Sequence, residues 1–201
     1  MRYFIFFCCT LLLACGSETK IVEVQDDAGV VVERYYIDVQ TNQKSGVYEL
    51  FDGRGRPMER AVYENDVLHG ERTLFHENGE VQAVEQYERG AFVGDYRAFY
   101  ENGQLELEGK YVDGSMEGIW KRYYDSGELM ETVTFVSNEE NGPFHEFYRN
   151  GNDKAKGEYL DGDNEHGELL LYDEAGILIK KMNCERGICR TSWEKMDEEK
   201  T

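Results

Sequence analysis

Proline is nearly absent, at 2 in 201 residues, and positive charge is scarce, with 22 Lys and Arg against 41 Asp and Glu. A net charge of −19 repels phosphate backbones and anionic headgroups, so nucleic acid is not an expected partner. A basic protein or a divalent cation fits that charge better, and solubility alone is the alternative. Long apolar runs are missing after the first fifteen residues, and mean hydropathy is −0.66, which argues against a large globular core. What is abundant is glycine (21) and tyrosine (14). That is the composition of strands punctuated by turns, since disordered chains are poor in aromatics.

The first residues differ from the rest. Arg2 is followed by an apolar run from Tyr3 to Ala14. It is shorter than the roughly 20 residues of a spanning helix and suits the apolar segment of a secretory signal. It ends in Leu12-Leu13-Ala14-Cys15, which resembles the bacterial lipobox. That resemblance implies cleavage before Cys15, a lipid on its thiol and a place in the bacterial cell envelope. An ordinary secretory signal with a chance cysteine is the alternative.

The remainder is periodic. Glycine recurs at 46, 70, 94, 118, 142 and 167, and a second glycine follows each by nine residues. Five residues after each first glycine stands Phe51, Phe75, Phe99, Tyr123, Phe147 or Tyr172. Seventeen after stand Tyr63, Tyr87, Tyr111, Phe135 and Tyr159, then Cys184. The period predicts a stack of hairpins, each too weak alone and buried by its neighbours. Segments such as Tyr100-Glu101-Asn102-Gly103 suit a tight loop closed by a left-handed glycine. Asp113-Gly114 and its equivalents mark the return turns.

The fold expected is all-β: an elongated, single-layer antiparallel sheet of about six to seven 24-residue hairpins. The expected boundaries are a leader over 1–14 and a tether over 15–19, then a degenerate first repeat over 20–45 with its turn at Asp26–Gly29. Six repeats follow over 46–69, 70–93, 94–117, 118–141, 142–166 and 167–190, and a charged tail over 191–201. Pairing of Tyr100 with Gln104 sets Phe99 opposite Leu105, and likewise Phe75 opposite Val81 and Tyr123 opposite Leu129. Strict alternation then points Leu105, Leu107, Gly109 and Tyr111 the same way. It sends the column Tyr48, Arg72, Tyr96, Trp120, Phe144 and Leu169 to the opposite face, unless a bulge intervenes. Pro143 is expected to begin a strand and Pro57 to disturb one.

Glycine, aromatic, Tyr-Glu-Asn-Gly and then Tyr-x-x-Gly-x-x-x-Gly resembles the MORN repeat, over about residues 46–190. More closely, it is similar to the bacterial variant found in YwqK-type antitoxin proteins. The resemblance implies a rod-like sheet that binds proteins or lipids, and the antitoxin variant implies neutralising a toxin by binding it.

Little else suggests chemistry. His69 and His166 lie four units apart, ~40 Å by strand spacing, and cannot share a metal. Asp161 to Gly167 begins like a calcium loop but has Tyr172 where the closing glutamate belongs. No serine sits in a nucleophile elbow. Neither catalytic residues nor a cofactor is expected. Cys184 and Cys189 flank the last return turn and are expected to form a disulfide in an exported chain, a redox or metal pair being the alternative. The candidate binding stripe is Tyr48, Tyr96, Trp120 and Phe144 with Tyr100, Tyr124 and Tyr148 beside it. The alternative is that these rings stack on one another.

Overall fold

The computed structural model describes residues 18–196. The leader and Cys15 lie outside them. Sixteen strands form one open antiparallel sheet, with no helix among the described residues. The strands are β1 (Thr19–Gln25), β2 (Val31–Asp38), β3 (Lys44–Phe51), β4 (Pro57–Glu64), β5 (Val67–Phe75), β6 (Val81–Glu88), β7 (Ala91–Phe92), β8 (Gly94–Phe99), β9 (Leu105–Val112), β10 (Ser115–Tyr123), β11 (Leu129–Val136), β12 (Glu139–Phe147), β13 (Asp153–Tyr159), β14 (Glu165–Tyr172), β15 (Leu178–Glu185) and β16 (Ile188–Glu194). Order in the sheet follows order in the chain, with β7 a short piece beside β6.

Each hairpin is closed as its sequence requires. Tyr100 N–H donates to the Gln104 carbonyl and Gly103 N–H to the Tyr100 carbonyl, both at 2.9 Å. Gly103 sits at φ +81°, where a side chain would be strained. Return turns such as that at Asp113 (φ 49°) and Gly114 (φ 82°) are two-residue loops with both residues left-handed, and the turn between Leu160 and Asn164 is one residue longer. Mirror-image turns of this kind match the right-handed strand twist. Gly114 N–H then donates to the Phe92 carbonyl at 2.9 Å, stacking one return turn on the previous unit.

Two bulges per repeat decide which side chains face inward. Phe99 pairs with Leu105, but Ala98 pairs with Leu107, so Glu106 is an extra residue. The same slip recurs in the other hairpins, for example between Arg122 and Tyr123. It places Leu105 on the face opposite to Leu107, Gly109 and Tyr111. This corrects the expectation from strict alternation. The column of Tyr48, Tyr96, Trp120 and Phe144 therefore shares a face with the tyrosine column instead of lying opposite to it. The second bulge sits at the first glycine of each unit. Glu117 pairs with Lys110 and Lys121 with Glu108, so Gly118, Ile119 and Trp120 lie against Gly109 alone. Gly118 has φ +73° there.

The prolines exchange their expected places. Pro57 opens β4, while Pro143 lies inside β12 at the glycine bulge, where the ladder is interrupted and its missing N–H costs nothing. Residues 191–194 of the expected tail belong to β16.

The buried residues all lie on one face. They include Tyr48, Ala61, Ala83, Tyr87, Trp120, Val133, Phe144, Ala155, Leu169 and Cys184. Among the described residues no second layer covers them, so the rings fold over their neighbours along this inner face and are themselves the core.

Candidate functional site

The inner face is built from rows that cross the sheet. One row runs Tyr35, Tyr48, Ala61, Arg72 and Glu85 by direct pairing, and resumes as Trp120, Val133, Phe144 and Gly157. Large and small residues alternate along Tyr48, Ala61 and Arg72 and along Trp120, Val133, Phe144 and Gly157, so rings there fold over their neighbours. A Cβ added to Gly109 would lie 2.1 Å from the Trp120 ring, and one on Gly157 would lie 2.8 Å from Phe144. Trp120 touches the rings of Tyr96, Tyr111 and Phe135 at 5.7, 5.2 and 6.0 Å between centroids. Phe144 stacks on Tyr159 at 4.2 Å. Such pairs add roughly 0.5–1.5 kcal/mol each beyond area burial. Tyr48 and Tyr96 pack edge-on against Tyr63 and Tyr111 at 5.6 and 5.9 Å. Burial, with Glu33 and Glu59 nearby, pushes the Tyr48 phenol up to about 12.

Tyr100, Tyr124 and Tyr148 do a different job. Their hydroxyls donate to the carbonyls of Tyr123, Phe147 and Tyr172, at 2.7, 2.8 and 2.9 Å. Each ties a hairpin tip to the next. Asn78, Asn102 and Asn150 do the same through the carbonyls of Glu101, Asp125 and Glu174. Thus the seven residues of the candidate stripe fall into two groups. Four are ring neighbours on the inner face and three are clamps at the tips. Cys184 and Cys189 are joined as a disulfide across the last return turn, linking β15 to β16.

Four inner-face features were not found from the sequence. Arg72 takes the ring position of its unit and donates to Glu59 Oε1 at 2.7 Å and to Glu85 Oε2 at 3.1 Å. Its hydrogen bond to Glu59, against the cost of burial, holds its guanidinium above the usual range. Glu85 is the one buried charged residue among those described, and Tyr87 Oη also donates to it at 3.1 Å. Arg replacing a ring and Glu appearing thirteen residues later were the available signal. Second, Lys44 Nζ lies over Tyr35, Tyr48 and Tyr63 at 4.7, 4.5 and 5.5 Å, an ammonium in a cage of three rings. Third, Glu131 and Glu140 line a cleft of about 80 Å³ with Met116, Trp120, Arg122 and Phe135. Burial raises the pKa of both carboxyls, with Arg122 opposing it at each. Fourth, the buried Trp120 Nε1 has no hydrogen-bond partner. No residue type flags the last two in a linear sequence.

Among the described residues, no group of three or more His, Cys, Asp or Glu is placed to hold a metal ion. His145 is occupied by Asp153, at 2.6 Å.

An open sheet of tandem hairpins with rings along one face defines a repeat protein built of MORN-like hairpins. Residues 68–89, 92–113 and 116–137 match the MORN repeat variant family. Each matched window opens on an inner-face residue, Leu68, Phe92 or Met116, and closes in a return turn. No curated protein matches the chain.

Proposed function

We propose that this protein is a non-enzymatic, lipid-anchored scaffold of the bacterial cell envelope that binds a protein partner through its repeat sheet. MORN repeats serve generally as protein- and lipid-binding modules. The observation that carries the protein reading is the inner face itself. Its rings and clamps are used up in holding the sheet, yet Glu131 and Glu140 line an aromatic cleft with no ion pair among the described residues. Carboxylates held against rings without an ion pair, with Arg122 only nearby, suit a partner more than they suit a fold. Anchoring rests on Cys15 and the apolar run before it. Cys15→Ser should release the protein from membranes, and continued sedimentation with them would remove the anchor. Cross-linking of the chain in the envelope fraction should then trap a defined protein partner, and recovery of none would remove the binding role.

The net charge of −19 favours a second reading, an antitoxin or immunity protein that captures a basic toxin. A toxic reading frame beside the gene and death of the host on deletion are its expected signs. Harmless deletion would count against it. Binding of the lipid-free chain to anionic vesicles is not expected at this charge.

A further inference from the structure

We infer that the cleft between Trp120 and Glu140 receives a lysine or arginine side chain of an extended basic peptide, and is the contact site of the binding role proposed above, on which this inference rests. The sheet already shows how its inner face holds an alkylammonium. Lys44 stands two residues before Gly46, caged by Tyr35, Tyr48 and Tyr63. The same position in later units is Leu68, Phe92, Met116, Glu140 and Glu165. The column thus begins with a cation over rings and ends with carboxylates beside rings. At Glu140 the rings remain, as Phe144 stacked on Tyr159 and Trp120 against Phe135. The cation of the column is gone, and Arg122 lines the cleft from the neighbouring strand without an ion pair to either carboxylate.

Two carboxylates there lack what a basic peptide supplies. Glu131 faces Glu146 directly across the ladder, and Glu146 is taken by Lys154 at 2.6 Å. Arg122 pairs opposite Glu131 in the other direction, but no ion pair joins them. A guest ammonium or guanidinium would serve Glu131 and Glu140 together. The indole of Trp120 forms one wall of the cleft; the residue is 3 % exposed and its Nε1–H has no acceptor. That donor is closed off from solvent, so the indole serves as a wall of the cleft and not as a ligand. A guest alkylammonium or guanidinium can lay its stem against the Trp120 and Phe135 rings while its head faces the carboxylates, and a calcium ion has no such stem. The cleft's volume of about 80 Å³ admits the end of one side chain, not a folded domain.

The chain has two tryptophans, so Trp193→Phe leaves Trp120 as the sole emitter in the full chain. A lysine decamer, at an ionic strength of about 0.15 M where remote charges are screened, should change its emission saturably. A glutamate decamer and calcium chloride should not. Adding Glu131→Gln with Glu140→Gln should weaken the lysine decamer by about tenfold without lowering the thermal midpoint. Neutralising the exposed Glu77 and Glu101 instead should change affinity less than about twofold. No response to the lysine decamer overturns the inference. So does equal weakening by the Glu77 and Glu101 changes, which would mean net charge alone, or an equal response to calcium. A cross-linked partner retained by the Glu131→Gln, Glu140→Gln chain would leave the binding role standing and remove this cleft from it.

Discussion

The units beginning at Gly70 and Gly118 fill the same place with opposite chemistry. The first puts Arg72 there, bonded to Glu59 and Glu85. The second puts Trp120 there, packed on three rings and folded over Gly109. Both places have the same hairpin register, Arg72 opposite Glu85 and Trp120 opposite Val133. The frame is therefore set by the bulges, the left-handed glycines and the return turns. The contact within it is free to be ionic or aromatic. This is why the period survives while the column that crosses it varies.

The largest expected effect comes from the aromatic unit. Gly109→Ala places a Cβ 2.1 Å from the indole, and a stacked sheet cannot widen locally. A loss of about 4 kcal/mol or outright unfolding is expected in urea titration. A loss under 1 kcal/mol would show that Trp120 can swing away. In the ionic unit, Arg72→Ala should cost about 3–5 kcal/mol, because Glu85 is left buried without its cation. Importing one unit's chemistry into the other sharpens the comparison. Arg72→Tyr with Glu85→Gly copies the Tyr96 and Gly109 pair. It should be neutral or up to about 2 kcal/mol stabilising, since buried ion pairs often only offset their own desolvation. A clear loss would mean that the frame does prefer charge there.

Smaller effects separate the tips from the face. Tyr100→Phe, Tyr124→Phe and Tyr148→Phe each remove one hydroxyl donor and should cost about 1 kcal/mol apiece. The Gly70 unit uses His76 in that role, with Nε2 at 2.7 Å from the Phe99 carbonyl. The smallest effect concerns Glu131. Burial raises its pKa in the folded chain, so the folded state holds the proton more tightly than the unfolded one. The stability it contributes is present below the unfolded carboxylate range and lost as pH rises through the raised value. Glu131→Gln should therefore raise the thermal midpoint slightly at pH 7 and leave it unchanged near pH 4.

The hairpins, their tight turns and the opposition of Phe99 to Leu105 were legible in the sequence, because glycine and turn residues mark them. The inner face was not. The extra residue of the first bulge is Met58, Gln82, Glu106, Met130, Lys154 or Ile179, and these share no property that a reader could use. One unmarked residue turns every subsequent side chain over. The tyrosines at the tips look like a surface stripe because their bond runs to a carbonyl about 23 residues on, as Tyr100 to Tyr123 does. Glu131 and Trp120 meet only after the bulges have been placed. Their contribution to the site was therefore hidden for the same reason as the face.

The central claim is that the ring column faces inward. Collisional quenching by acrylamide in the Trp193→Phe and Trp120→Phe chains tests it, with the two tryptophans at 3 % and 44 % exposed. Trp120 emission should be quenched several-fold less than that of Trp193. Equal quenching would place the column on an open surface and contradict the account.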